Sequence, residues 1–536
     1  MPAEEASIEV LVVGAGPAGL TLAVDLARRG IRALVVERGA ELFPGSRGKG
    51  LQPRTQEVFD DLGVIGAVRA AGGPYPPMMD WDGDRRLGAF QMIDSVEPTP
   101  GAPYHEVWML PQWRTSRILY ERLLELGGGV RFGTELTGFA QDADGVEARL
   151  RHADGVEARL RHADGSTTTV GARYLVAADG GRSTVRAALG IGMTGETVDP
   201  RPMLVADVRI DGIDADHWHV WQQAPGGGIA LCPLAGTDHF QVVAGYEDTD
   251  AVPDTSPEAV RRLVADRTPL TAADVREVLW ASTFRTRAAM ADRFREGRVF
   301  LVGDAAHVHS PAGGQGLNTS VQDAYNLGWK LAHVLRHGAD PALLDSYEEE
   351  RLPVAAGVLG ISTRIHRAAM AGDAEGQQRT AEVHQLGLSY RGGPLAAELR
   401  HALPQGALRA GDRAPDAPCA LPDLTPHRLF DAFRGPHFTL LALGGCEPPP
   451  YEGDLLRTYA VGGPAPDLLD TAGHIRGGYA ERGLFLIRPD GYVALAAPAT
   501  PDGTRALADH LRRYGVLDRA GAGATDAYNP RRSAEV

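Results

Sequence analysis

The feature that most constrains the fold is a glycine-rich turn between an apolar strand and a helix. Residues 8–13 are mostly apolar and β-branched, and they lead into Gly14-x-Gly16-x-x-Gly19. The first glycine permits a tight turn, the second lets the backbone approach a pyrophosphate, and the third lets the helix pack on the sheet. A second apolar strand then ends at Glu37, where a carboxylate can accept hydrogen bonds from ribose hydroxyls. The segment predicts a βαβ unit that binds a dinucleotide, with a chance glycine-rich turn as the alternative.

Size, charge and cysteine content limit the class of protein. The 536 residues predict roughly three domains at ~150 residues each. The net charge of −15 and the lack of a basic stripe argue against nucleic-acid binding. There is no apolar run of the ~18 residues that a membrane span needs, and the acidic first residues do not resemble a signal peptide. Cys232, Cys419 and Cys446 are far apart, so we expect no disulfide framework, no metal site, no membrane partner and a cytoplasmic location.

Two further motifs follow apolar strands later in the chain. They are Asp179-Gly180 with Ser183 and Arg186, and Gly303-Asp304, which continues into Pro311-Ala312-Gly313-Gly314-Gln315-Gly316-Leu317-Asn318 and a long helical pattern. Open α/β sheets bind ligands at the carboxyl ends of their strands, so both motifs are expected beside the first glycine-rich turn.

These three motifs, in this order, resemble the single-component FAD-dependent aromatic hydroxylases, which share the para-hydroxybenzoate hydroxylase fold. The resemblance is strongest to enzymes acting on polyketide aromatics and substituted phenols, and it covers roughly residues 7–370. From about residue 405 the chain resembles the thioredoxin-like domain of many such enzymes, although it has no Cys-x-x-Cys and so implies no thiol redox chemistry.

The resemblance implies an α/β protein, α+β overall, with three domains and a tail. They are a Rossmann-like FAD domain with a parallel sheet (1–74, 105–190 and 285–400), an inserted antiparallel-sheet substrate-binding domain (75–104 and 191–284), a thioredoxin-like domain (405–520) and a disordered tail (521–536). We expect a monomer or a homodimer.

The resemblance also assigns residues to a tightly, non-covalently bound FAD. Asp304 would bind the ribityl chain, or else cap a helix. Arg47 and Gln112 would contact FAD from loops, with purely structural roles as the alternative. Residues 313–316 would lie against the isoalloxazine, with the helix N-terminus facing its pyrimidine side. The expected FAD contacts are Gly14, Gly16, Pro17, Ala18, Gly19, Glu37, Arg38, Arg47, Gln112, Asp179, Asp304, Pro311, Gly314, Gly316, Leu317 and Asn318.

The chain has no second Gly-x-Gly-x-x-Gly motif directly after an apolar strand, which fits transient binding of NADPH or NADH in a surface groove. The resemblance places that groove at Asp179, Gly180 and Arg186, unless Asp179 and Arg186 only brace their loop. It implies that NAD(P)H reduces FAD, that O2 adds at flavin C4a, and that the hydroperoxide hydroxylates an electron-rich aromatic carbon. Baeyer–Villiger insertion or antibiotic modification on the same fold remains an alternative, as does a non-enzymatic flavin-binding protein.

Candidates for direct roles in catalysis and substrate binding are fewer. Arg47, His307 and Pro311 lie near the expected flavin, and a histidine there could deprotonate a phenol, with packing as the alternative. Strand alternation puts His219 and Trp221 on one face and Trp218 and Val220 on the other. We expect Met79, His219 and Trp221 to line the substrate pocket, with ordinary core packing as the alternative.

A tandem duplication interrupts the middle of the chain. Residues 144–153 recur unchanged as 154–163. Each copy alternates apolar and charged residues, which is typical of a half-exposed strand. The even length of the repeat preserves the in/out alternation, so we expect a longer hairpin or a bulged loop.

Overall fold

The computed structural model describes residues 8–94, 96–141, 156–371, 373, 380–447, 449–451 and 453–517. The predicted tail 521–536 and the first copy of the duplication, 144–153, lie outside the described residues. The strand Val156–His162 lies entirely within the second copy. The mixed α/β fold expected from the sequence is confirmed, with three main sheets.

The helices pack around these sheets. In chain order they are α1 (Pro17–Arg28), α2 (Pro53–Asp61), α3 (Ile65–Ala71), α4 (Gln112–Glu125), α5 (Thr184–Ala188), α6 (Pro257–Arg267), α7 (Gly316–Arg336), α8 (Asp345–Ala371), α9 (Leu429–Phe433), α10 (His474–Gly478) and α11 (Pro501–Arg513). Short 3₁₀ turns occur at Gly303–Ala305, Ala312–Gly314, Pro341–Leu344 and Ala381–His384. Within the described residues, a helix long and apolar enough to cross a bilayer is not found.

The first sheet is organised around the strand Ile8–Val13, whose residues 10–13 are apolar and buried. This strand pairs in parallel with Ala33–Val36 on one side and Thr167–Ala177 on the other. Across the sheet the order is Arg295–Glu296, Val299–Leu301, Thr167–Ala177, Ile8–Val13, Ala33–Val36 and Val130–Arg131, while Val156–His162 and Thr134–Gln141 extend it from Thr167–Ala177. Parallel pairing brings the ends of three strands to one edge, so the three predicted motifs meet there.

The second sheet is mostly antiparallel. Its order is His307–Val308, Val275–Ala291, Met193–Ile210, His239–Gly245, Ile229–Pro233, Trp218–Trp221, Met78–Asp82 and Arg85–Phe90. The strand Val275–Ala291 crosses the expected domain boundary at 284–285. One face of this sheet packs against α6. Leu204 and Val208 point to that face and contact a core that includes Val260 and Val264 of α6. The opposite face is turned toward the first domain.

The third sheet belongs to the C-terminal part of the chain. Its order is Ala397–Glu398, Val493–Ala497, Gly483–Ile487, Phe438–Leu443 and Leu456–Val461. It shares a hydrophobic core with the first domain: Trp329 of α7 contacts Phe438 and Tyr514 edge-on at ring distances of 5.5 and 5.9 Å. The minor pairings are Gly50–Leu51 and Gly73–Pro74 with Trp108–Met109, and Pro418–Ala420 with Pro426–Arg428. The three cysteines are buried and free.

Candidate active site

The glycine-rich turn shows why each glycine is needed. Gly14 has φ +105°, and a Cβ there would lie 2.3 Å from the Ala178 carbonyl oxygen. A Cβ on Gly19 would lie 2.0 Å from the Gly14 carbonyl oxygen, whereas one on Gly16 would meet nothing within 4 Å. The outer glycines therefore pack the turn on the sheet, and the middle glycine borders open space. Since α1 begins at Pro17 without a side-chain cap, its free N–H groups can face phosphates there.

Glu37 lies beside this turn. Its Oε2 accepts a hydrogen bond from the Ala15 backbone N–H at 3.0 Å, and its Oε1 accepts one from Gly39 at 2.9 Å. Each carboxylate oxygen has a further lone pair available for a ribose hydroxyl. Arg38, the next residue, is exposed.

Asp304 borders a cleft at the end of the strand Val299–Leu301. Its side chain is exposed to solvent, yet burial among surrounding protein atoms raises its pKa, while His307 and Arg47 oppose that rise. Because the Asp304 carboxylate is reachable by solvent and yet surrounded by protein atoms, we infer that it lines the wall of a cleft. Ala18 of α1 lies close by, since a Cβ on Gly303 would come within 3.2 Å of it.

The loop before α7 forms another wall of the cleft. Gly313 and Gly314 adopt φ values of +80° and +62°, which favour glycine, and Pro311 and Gly314 are exposed. The buried Asn318 side chain donates to the Gly314 and Gly50 carbonyls at 2.7 and 2.8 Å. Asn318 therefore fixes the loop with its side chain, and only the backbone N–H groups at the start of α7 are available to a ligand.

Gln112 and Arg47 meet at one loop. The Gln112 Oε1 accepts a hydrogen bond from the Gly48 N–H at 3.1 Å, and the Gln112 N–H donates to the Gly48 carbonyl at 3.0 Å. Arg47 is exposed and lies over the Phe43 ring at 4.9 Å. A Cβ on Gly48 would lie 3.2 Å from Leu317, so this loop borders the start of α7.

The Asp179 segment is braced from within. Asp179 Oδ2 accepts hydrogen bonds from the N–H groups of Thr184 and Val185 at 2.8 and 3.3 Å, whereas its Oδ1 is buried without a hydrogen bond from the described part of the protein. Arg186 donates to the carbonyls of Ala305 and Gly181 at 2.8 and 3.0 Å. Asp179 and Arg186 thus hold the loop through separate partners, and a nicotinamide-binding role stays a prediction.

For His307 the structure favours the packing alternative, and a catalytic role stays a prediction. The ring is fully buried, with Nε2 2.6 Å from Asp323 Oδ2 and Nδ1 2.9 Å from His309 Nε2. With both nitrogens occupied, His307 has no free atom to offer a substrate. Burial would raise the pKa of Asp323, but His307 and Arg351 outweigh it and lower that pKa. This group braces the base of the cleft.

Sequence reasoning missed Asp323 and Arg351, whose side chains are 2.8 Å apart. Both are charged residues on the apolar faces of long helical patterns. That mismatch between charge and periodicity is the signal that could have identified them.

The three residues expected to line the substrate pocket lie on the other face of the sheet. His219 is fully buried, with Nδ1 accepting from the Trp81 Nε1–H at 3.0 Å, and Trp221 donates to the Gly83 carbonyl at 2.9 Å. Met79 pairs directly with His219 in register, so it shares that face. Trp221 packs in the core beneath α6. The predicted alternation is right, and the burial of all three residues favours the alternative of ordinary core packing over a place in the substrate pocket.

The opposite face of the sheet, which the loop at 43–50 covers, carries different residues. Lys49 Nζ lies 4.3 Å from the centre of the Trp218 ring and donates a hydrogen bond to Gln241. Arg47 lies 6.0 Å from the Trp280 ring. Strand alternation put Trp218 on this face, but only the structure shows that the loop at 43–50 covers it.

The described residues fit an FAD. The crevice has open space above Gly16, a carboxylate at Glu37, a second carboxylate at Asp304, and glycine backbone at Gly314 that leaves room for a flat ring. Glu37 and Asp304 follow strands that run parallel in the first sheet, so both carboxylates lie at the edge where these strands end.

Comparison with known proteins agrees with this geometry. The model of the FAD binding domain family matches residues 7–362, and that of the aromatic-ring hydroxylase C-terminal family matches residues 408–516. The chain is 45% identical to a flavin-dependent monooxygenase of Mycobacteroides abscessus, over 91% of this chain and 96% of the relative. It is 35% identical to the 6-methylpretetramide 4-monooxygenase of Streptomyces rimosus, over 96% and 95% of the two chains. A solved ternary complex of aklavinone-11 hydroxylase with FAD and aklavinone superposes with a TM-score of 0.79 at 31% identity, covering 96% and 100%.

Proposed function

The chain belongs to the family of FAD-dependent aromatic-ring hydroxylases and is an FAD-dependent monooxygenase, and from this premise we propose that it hydroxylates a polycyclic phenolic compound. The electron donor in this proposal is NADPH or NADH, and O2 is the second substrate. The 6-methylpretetramide and aklavinone named for two similar proteins are polycyclic, which supports the choice of substrate class.

We assign FAD to the cleft at the end of the parallel sheet. Its phosphates would lie above Gly16, its adenosine ribose at Glu37, its ribityl chain at Asp304, and its ring beside Gly314. When bound, FAD supplies the redox chemistry, accepting a hydride and activating O2. The protein positions the reactants and excludes water. The N–H groups at the start of α7 favour negative charge on whatever lies before them.

The substrate class is inferred from the face of the second sheet that the loop at 43–50 covers. Trp218 and Trp280 present aromatic rings there, both partly exposed. Lys49 and Arg47 lie beside these rings. Flat aromatic surface next to cationic groups suits a planar ring system that bears acidic hydroxyls.

The test measures NADPH and NADH oxidation by the holoenzyme in the presence of phenol, 1-naphthol, aklavinone and 6-methylpretetramide. We expect the polycyclic compounds to stimulate oxidation most. With labelled O2, we expect one labelled oxygen in a new hydroxyl group and an unchanged carbon skeleton. Failure of all four compounds to stimulate oxidation would contradict the proposal, and so would a ring-expanded ester as product.

A further inference from the structure

One row of side chains crosses the second sheet on the face that the loop at 43–50 covers. Asp207 lies directly opposite Gln241 on one neighbouring strand and Trp280 on the other, and Gln241 lies opposite Cys232. Residues paired in this way project to the same face of a sheet. The loop at 43–50 covers the row, because Gln241 donates to the Ser46 carbonyl.

Buried polar atoms without partners collect at this contact. Both carboxylate oxygens of Asp207, the hydroxyl of Ser46 and the Nε1 of Trp218 are buried and make no well-directed hydrogen bond within the described ranges, although Ser46 lies close enough to Asp207 to lower the pKa of its carboxyl group. Each such atom costs about 1–3 kcal/mol, and native proteins retain few of them without a reason. Three neighbouring residues with this property indicate a place where a polar ligand completes the hydrogen bonds.

A fixed positive charge stands beside these atoms. Lys49 is held by its hydrogen bond to Gln241 and by the Trp218 ring at 4.3 Å. It is one of only two lysines in the chain, the other being Lys330. Lys49 and Asp207 form no ion pair among the described residues, so a ligand oxygen between them could contact both.

The electrostatics make Asp207 a proton acceptor near neutral pH. Burial raises the pKa of Asp207 to about 6, and Ser46 and Lys49 limit the rise. The other titratable or charged groups near this face are Arg47 on the loop, the Cys232 thiol, whose pKa burial raises to about 11, and His239 with Arg209 further along the strands. At pH 7 the carboxyl group is therefore mostly ionised, with a pKa close to the working pH, as efficient general bases require.

We propose that Asp207 removes the proton from a phenolic hydroxyl of the substrate and that Lys49 holds the resulting phenolate. The O–H bond breaks, the proton moves to the Asp207 carboxylate, and the electron pair stays on the phenolate oxygen beside the Lys49 ammonium group. Nothing is oxidised in this step. The phenolate donates electron density into its ring, which makes the ring carbon a better nucleophile.

This inference rests on the proposed function and adds a condition for substrate entry. Asp207 is 1% exposed, so a substrate reaches it only when the loop at 43–50 lifts from the sheet. When the loop lifts, the hydrogen bond from Gln241 to the Ser46 carbonyl and the one from Lys49 to Gln241 must break.

The test uses whichever of the four compounds stimulates the wild-type holoenzyme most. Difference absorption reports the ionisation of the bound compound as a function of pH, and NADPH oxidation gives a pH–rate profile. We expect wild type to bind the compound ionised below the compound's pKa in solution. Asp207→Asn should bind it neutral at pH 7 and lower the stimulated rate about 100-fold, with recovery as pH approaches the compound's own pKa.

The controls separate this step from folding and from the proposed function. Asp211→Asn removes the same charge from an exposed ion pair with Arg276 at the end of the same strand and should leave both readouts unchanged. Lys49→Met should shift ionisation of the bound compound to higher pH, and Lys49→Arg should restore it. If Asp207→Asn loads FAD and keeps the wild-type profiles, or if Lys49→Met shifts nothing, the inference is overturned. If no compound stimulates wild type, the proposed function fails first.

Discussion

The buried ion cluster between α8 and the third sheet allows the most quantitative prediction. Glu350 is 3% exposed and accepts hydrogen bonds from Lys330 Nζ at 2.8 Å and from the two Arg488 terminal nitrogens at 2.5 and 2.9 Å. Burial raises the pKa of Glu350, but Arg488 and Lys330 outweigh it and bring the pKa from 4.5 to about 2. The same cluster lowers the pKa of Lys330 to about 8, chiefly through burial.

These values set the size of the effect. The difference of about 2.5 pKa units corresponds to about 3 kcal/mol of stability at roughly 1.4 kcal/mol per unit. Because the folded pKa lies below the unfolded one, this contribution is complete above pH ~4.5 and disappears as pH falls through ~2. Glu350→Gln removes the charge and turns an acceptor into an amide donor facing Arg488, so we expect a loss of about 3–5 kcal/mol.

The assay is urea unfolding of the holoenzyme at pH 7, followed by circular dichroism. Glu349→Gln is the matched control, because Glu349 is the exposed neighbour on the same helix; its effect should stay within about 0.5 kcal/mol. A Glu350→Gln protein as stable as this control would show that the buried carboxylate contributes no net stability, and the reasoning would be refuted.

Two other outcomes follow from the cleft and the shared core. Gly14→Val combined with Asp304→Ala should purify colourless, because the valine would clash with the Ala178 carbonyl oxygen; flavin absorbance at one FAD per chain would contradict this. A chain that ends at residue 404 should aggregate, since Trp329 and Glu350 would lose their partners from the third sheet; size-exclusion chromatography showing a monodisperse, FAD-loaded fragment would contradict that expectation.

The sequence was most informative where function depends on backbone geometry close in the chain. The spacing of Gly14, Gly16 and Gly19 between a strand and a helix has few structural solutions, and the structure shows the predicted one. The same holds for Gly303-Asp304, because a parallel strand must deliver its carboxyl end to the ligand-binding edge. At these motifs the local sequence pattern also fixes where the residues lie in the folded protein.

Prediction from the sequence was weakest where the answer depended on which element covers a surface. Strand alternation correctly separated Trp221 from Trp218, but the pattern cannot say which face α6 will cover. The partners of Asp323 and Arg351 were equally inaccessible, because an ion pair between two helices depends on their packing. The sequence suggested a thioredoxin-like domain of its own at 405–520, whereas Phe438 lies in a core that this region shares with the first sheet.

The loop at 43–50 connects the two halves of the site. The Gly48 N–H donates a hydrogen bond to Gln112, and Gly48 lies beside Leu317 at the start of α7. On the other side of the loop, Gln241 of the second sheet donates a hydrogen bond to the Ser46 carbonyl and accepts one from Lys49. A compound that lifts the loop from the sheet therefore also disturbs its contacts with the flavin cleft. If Asp207 meets the substrate as proposed, the loop moves when the substrate arrives, and substrate arrival and the surroundings of the proposed flavin site are then mechanically linked.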